Sequence, residues 1–106
     1  MKMSQYTVLQ IQDNDILRNT DIMFRPTKEL VESLSMEYAT VALIDATSLE
    51  NVFLVGNSEE LESRIQRFQE MRSISVGDVI HNLETDEMFY VDRVGFKPCE
   101  LKEDVS

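Results

Sequence analysis

Apolar and polar positions along the chain fall into runs of different period. From Tyr6 to Gln12 the residues Tyr6, Val8 and Gln10 alternate with Thr7, Leu9 and Ile11. Apolar side chains on both faces predict a strand covered from both sides, not a solvated edge. Asp13, Asn14 and Asp15 end the run with side chains that bond their own backbone in turns. Ile16–Arg25 has no clean period and reads as loop, with a short strand at Asp21–Phe24 left open. Pro26-Thr27 then opens a helix over Lys28–Ser35, with Thr27 as cap and Leu30, Val31 and Leu34 on one stripe. Tyr38–Ile44 is β-branched and apolar on both faces, which predicts a central strand.

The middle of the chain carries capping signals. Thr47-Ser48-Leu49-Glu50 matches a capping box, Leu49, Val52 and Phe53 form the apolar stripe behind it, and Gly56 supplies a left-handed end. Asn57 and Ser58 cap a second helix over Ser58–Gln69, acidic at its start (Glu59, Glu60, Glu62) and basic further on (Arg64, Arg67). Its apolar stripe is Leu61, Ile65 and Phe68. The last third reads as a hairpin. Ser73–Ile80 alternates with a bulge at Gly77-Asp78, Asn82–Glu87 turns, and Met88–Val94 returns until Gly95 and Pro98 stop it.

These runs predict an α+β fold: a mostly antiparallel sheet of four or five strands with two or three helices packed on one face. The hairpin 73–94 is expected to pair with the strand at 38–44. Residues 1–99 make the single domain and 100–106 a charged, fraying tail. The expected core is Val8, Leu30, Leu34, Val41, Leu43, Leu49, Val52, Phe53, Leu61, Ile65, Phe68, Ile74, Val76, Val79, Phe89, Val91 and Phe96.

Charge changes the picture more than size does. The 106 residues hold 20 acidic and 10 basic side chains, a net charge of -10. Phosphate backbones and anionic membranes are held by clustered Lys and Arg, so neither nucleic acid nor membrane is the expected partner. From Glu29 to Glu62 there are eight acids (Glu29, Glu32, Glu37, Asp45, Glu50, Glu59, Glu60, Glu62) and no Lys or Arg. A one-signed end of this kind steers basic partners. Residues 1–12 lack the apolar segment of an export signal, and Cys99 is the single cysteine, so a cytoplasmic location is expected.

Candidate chemistry is sparse. His81 is the only histidine and has no triad or metal set around it. Cys99 lacks a Cys-x-x-Cys partner and reads as a structural thiol. Asp78, Tyr90 and Asp92 are the one constellation able to serve a small ligand-binding or hydrolytic domain, since paired carboxylates work as acid and base when their pKa values split. The same Asp78 reads more simply as a bulge residue that ties down neighbouring amides. Neither a cofactor nor a metal is called for.

In order along the chain come Leu49-Glu50-Asn51-Val52-Phe53, Asn57, Arg72-Ser73-Ile74-Ser75-Val76-Gly77-Asp78-Val79-Ile80 and Phe89-Tyr90-Val91-Asp92-Arg93-Val94-Gly95-Phe96. This order resembles the YodL-like domain family, whose opening segment also resembles the strand ending at Gln10. The resemblance covers about residues 6–98. One departure is the stretch Ser58–Gln69, where the family commonly carries a Pro-rich link. The family implies a small accessory protein of bacteria, mobile elements or phages, and implies no catalytic residue or cofactor. The expected function is therefore non-enzymatic protein binding or regulation, as an anti-defence or host-takeover inhibitor whose acidic surface occupies a basic site on a host or element protein. The expected contact residues are Glu50, Glu59, Glu60, Glu62, Asp78, Asp92 and Phe96, on a monomer or homodimer. An oligomeric structural module built on the hairpin edge is the remaining alternative.

Overall fold

Tyr6 and Val8 face one way and Leu9 and Ile11 the other, so the first strand needs cover on both sides. The computed structural model describes residues 2–102. In chain order its elements are β1 (Ser4–Ile11), α1 (Asn14–Asn19), α2 (Lys28–Ser33), a 3-10 turn (Ser35–Glu37), β2 (Tyr38–Ala46), α3 (Leu49–Gly56), a second 3-10 turn (Glu59–Arg64), β3 (Ile65–Arg67), β4 (Val79–Asn82), β5 (Met88–Val91) and β6 (Phe96–Cys99). The strands form one sheet in the order β3-β2-β1-β4-β5-β6, each pair antiparallel.

The fold class is α+β, but among the described residues the strands number six and the helices cover both faces. Tyr6 and Val8 join Ile44, Ile74 and Ile80 in a cluster closed by Val52 and Val55 of α3. Ile11 joins Ile22, Val79, Tyr90 and Cys99 on the opposite face, closed by Val31 of α2 and the half-buried Ile16 and Leu17 of α1. One layer of helices would leave Leu9, Ile11, Val79 and Tyr90 in water, and each large apolar side chain so exposed forfeits about 1.5–3 kcal/mol. The register slips between Val8 and Leu9, placing Val41 as an extra residue in β2. Val41 and Ala42 both reach full burial in the first cluster, as a β-bulge allows.

Several sequence expectations are corrected. The hairpin pairs with β1 rather than β2, because β1, apolar on both faces, takes the place between them. The helix expected over Ser58–Gln69 is the second 3-10 turn followed by β3, which extends the sheet against Ala42–Ile44. Phe68 is consequently 53% exposed and Phe53 is 38% exposed, while Val55 fills the core position expected of Phe53. The cap of α3 is Ser48, whose Oγ accepts from the Asn51 amide at 3.1 Å; Asn51 returns the bond to the Thr47 amide, so the box sits one residue later. Gly56 is not left-handed. It is a point of close approach, where a Cβ would come within 2.9 Å of Ile74 Cγ1. A sixth strand, β6, runs through Pro98, which an edge strand tolerates. Within the expected tail, Leu101 is buried and the amides of Glu100 and Lys102 donate to Glu32 and Ser35. The rest of the expected tail, 103–106, lies outside the described residues.

Candidate functional site

Between β3 and β4 the chain crosses the molecule as an extended strap, residues 70–78, with no ladder of its own. Its backbone groups still need partners. Side-chain amides from elsewhere supply them. Gln10, fully buried, accepts from the Arg72 amide at 3.1 Å and donates to the Arg72 carbonyl at 3.0 Å. Asn57 treats Ile74 the same way, accepting at 2.7 Å and donating at 3.1 Å. Gln12 donates to the Glu70 carbonyl at 3.0 Å. Asp78, only 4% exposed, accepts from the Ser75 amide at 2.9 Å and from Gln10 at 3.0 Å. The strap ends at Gly77, whose φ of 93° and carbonyl bond from the Tyr38 hydroxyl at 2.6 Å fix the entry into β4.

Asp78 is thus a clamp and not a partner contact. Burial pushes its carboxyl up to about 6 from the usual 3.8, while the Ser75 amide, Gln10 and Arg72 pull the other way. A raised acid pKa means that the fold prefers the protonated form. The cost of keeping the ionised form buried is absent below about pH 4, grows as pH rises, and is complete above about pH 6, at about 3 kcal/mol. Asn at this position keeps an oxygen for both donors and carries no charge. The stability of Asp78→Asn relative to the parent chain should therefore rise by about 3 kcal/mol between pH 4 and pH 7. Urea midpoints of the two proteins that run parallel across that range would remove the buried carboxylate from the account.

The other candidates disperse. Tyr90 is buried in the second cluster. Asp92 bonds its own turn, accepting from the Arg93 amide at 2.8 Å, and pairs with Lys97 at 3.6 Å. Asp92 and Phe96 do come together, lining a cavity of about 290 Å3 with Phe53, Val76, Val91, Arg93 and Gly95. Neither Asp78 nor Tyr90 contributes to it, so the three-residue acid-base constellation is not assembled there. Cys99 is buried, and burial together with Glu32 pushes its thiol up to about 12, which keeps it an inert neutral thiol. His81 bonds Asp86 at 2.7 Å in the β4–β5 turn.

The acidic run is divided. Glu50, Glu59, Glu60 and Glu62 stand exposed on α3 and the turn after it, on one face, whereas Glu29 and Glu32 belong to α2 on the other. Arg67 folds back as an ion pair with Glu62, and Arg64 donates to the Asp45 carbonyl at 3.0 Å and to Asn51 at 2.6 Å. The hairpin edge expected to take an added strand is filled on both sides, by β1 and by β6.

What sequence reasoning missed is a strip along the outside of the strap. Ile22 is buried and anchors the turn after α1, which leaves Met23 and Phe24 standing outward at 37% and 67% exposure. Asp21 closes this turn, its carbonyl accepting from Phe24 at 2.9 Å and Arg25 at 2.7 Å. Three cavities adjoin here. The first, about 640 Å3, includes Leu17, Arg18, Met23, Phe24 and Arg72; the second, about 430 Å3, shares Met23 and Phe24 and adds Arg25, Val76 and Arg93. The third is the cavity of Asp92 and Phe96, which shares Val76 and Arg93 with the second. Beside it Val94 is 86% exposed at the tip of a turn closed by Asp92 and Gly95. Asp92 and Phe96, two of the expected contact residues, lie at one end of the strip, and Met23 and Phe24, apolar residues in a stretch without period, are the sequence signal at the other.

The residues quoted above thus divide by task. Gln10, Asn57 and the Ser73–Asp78 segment build the clamped strap, and Asp92–Phe96 form one end of the strip. No curated protein and no solved structure matches the chain. No helix among the described residues is long and apolar enough to cross a membrane. The model of the YodL-like domain matches residues 5–101, taking in β1, the strap and the turn that ends the strip, and the chain belongs to that family.

Proposed function

We propose that this protein is a non-enzymatic binding module of phage or mobile-element origin, acting in the cytoplasm by docking on a protein of the host or of the element. The observation that carries the reading is the strip: the exposed Phe24 and Phe53 line adjoining cavities, and the exposed Val94 stands between the lining residues Arg93 and Gly95, on a scaffold whose Asp78, Tyr90 and Cys99 are committed to the interior. Exposed apolar patches rimmed by polar residues mark interaction sites. The test is a photo-crosslinking side chain placed at Phe24 or at Val94 of the full chain, expressed in the bacterium that carries the gene. A discrete adduct from both positions and none from Leu83, exposed in the distant β4–β5 turn, is the expected result. Adducts of equal yield from all three positions, or from none, would remove the docking reading.

A second reading keeps the acidic surface. Glu50, Glu59 and Glu60 are exposed and make no ion pair among the described residues, which favours occupation of a basic site by this side of the molecule. A partner held in that way is released by salt and by Glu59→Lys with Glu60→Lys. Retention of the partner by that double variant would reject it.

A further inference from the structure

We propose that the strip is built for an acidic peptide segment carrying an apolar anchor; this rests on the docking reading and names the chemistry of its partner. The chain has ten basic side chains and a net charge of -10, yet Arg18, Arg25, Arg72 and Arg93 all line the three adjoining cavities. Only Arg18 has a carboxylate partner among the described residues, Asp15. Asp92, at the far end, is matched by Lys97 rather than by Arg93. The strap's flanking turns therefore present two guanidinium groups, Arg25 and Arg93, with no carboxylate of their own, beside Arg72, whose guanidinium donates to the Ile11 carbonyl at 2.6 Å and whose charge also acts on the buried Asp78.

Guanidinium forks hold carboxylates with two parallel bonds, and such charge-assisted pairs are about twice as strong as neutral ones. Met23 and Phe24 line the cavity of Arg72 and also that of Arg25 and Arg93. An apolar side chain entering there would be flanked by cations, the arrangement of a buried anchor inside a polar rim. A nucleic-acid strand fits the arginines less well. It carries one charge about every 3.4 Å, and along this face it would run onto Glu59 and Glu62, which line the neighbouring cavity that Arg72 also borders. A peptide needs only two or three carboxylates, placed where the arginines are.

The experiment selects short random peptides displayed on phage against the intact chain, with counter-selection against an Arg25→Glu, Arg93→Glu variant. Both side chains are exposed, so the variant should keep the parent urea midpoint, which is measured first. Enriched peptides are expected to carry a net negative charge around an aromatic or aliphatic residue. Their affinity should fall about tenfold or more in that variant, and also in Phe24→Ser. Enrichment of neutral or basic peptides, or binding that survives the arginine reversal, overturns the proposal. So does tighter binding of a mixed-sequence single-stranded oligonucleotide, or a dimer by light scattering that the arginine reversal dissolves. A crosslinked adduct at Phe24 with non-acidic peptides leaves docking standing and removes only the acidic class; absence of both adduct and peptides removes both.

Discussion

Replacing Gly77 by alanine lowers the stability of this fold by about 3–5 kcal/mol, a large share of the 5–15 kcal/mol typical of a single domain. Two costs add. Gly77 sits at a φ of 93°, a conformation that an L side chain adopts only at a cost of about 1–3 kcal/mol. An added Cβ would also overlap the carbonyl oxygen of Ile22, with the carbonyl carbon and Cγ1 each 3.1 Å away. That oxygen belongs to backbone, so it can retreat only by moving the turn that carries Met23 and Phe24. Gly95 supplies the control, because its φ of 77° is also positive but nothing stands within 4 Å of its Cβ position. Gly95→Ala should therefore lose about 1–2 kcal/mol, the backbone cost alone. Urea unfolding of the two variants separates the contributions. Equal midpoints would mean that the contact between strap and turn contributes nothing.

The strands with a clear period were legible, and their neighbours were not. β1 and β2 announce themselves through β-branched and apolar residues on both faces, and the β4–β5 hairpin through its polar turn. Ile65 and Phe68 fit a helical stripe equally well on paper. The free edge of β2 decides against the helix, because Ile65–Arg67 can pair with Ala42–Ile44 and Phe68 can donate to the Val41 carbonyl at 2.9 Å. A run this short is poorly discriminated by period, and the tertiary hydrogen bonds win. α1 and α2 have six residues each, too few for a stripe to show, and are held by caps from Asp13 and Thr27.

The strap shows a different kind of limit. Ser73–Ile80 alternates as a strand should, yet the partners of Arg72 and Ile74 are side chains 62 and 17 residues away, which no local pattern records. Asp78 was legible as a residue that ties down amides; its reach to Gln10 was not. The strip was the least legible feature, since its pieces come from three separate loops. Phe53 reads as core, Phe96 as both core and contact, and Met23 and Phe24 lie in a stretch with no period at all.

Gln10→Ala should cost about 3–5 kcal/mol although Gln10 lines none of the strip's three cavities. Its carboxamide satisfies the Arg72 amide, the Arg72 carbonyl and the Asp78 carboxylate at 3.1, 3.0 and 3.0 Å. Each buried polar group left without a partner costs about 1–3 kcal/mol, and the carboxylate loses the donor that helps keep it ionised. Gln10→Leu fills the same space without the bonds and should be nearly as damaging as alanine. If leucine recovers all but about 1 kcal/mol, the loss was a cavity and not a broken clamp. Asp78→Asn combined with Gln10→Ala should depart from the sum of the single changes, because the two side chains share one hydrogen bond and Gln10→Ala leaves no charge unsupported once residue 78 is neutral. The strap that Gln10 holds carries Arg72 and Val76 into the strip. Hydrogen exchange in Gln10→Ala should accordingly rise first at residues 72–76, and peptide binding at the strip should weaken while the β1–β2 and β4–β5 ladders remain protected. Uniform loss of protection would show instead that clamp and sheet unfold as one unit, leaving the strip no separate freedom to lose.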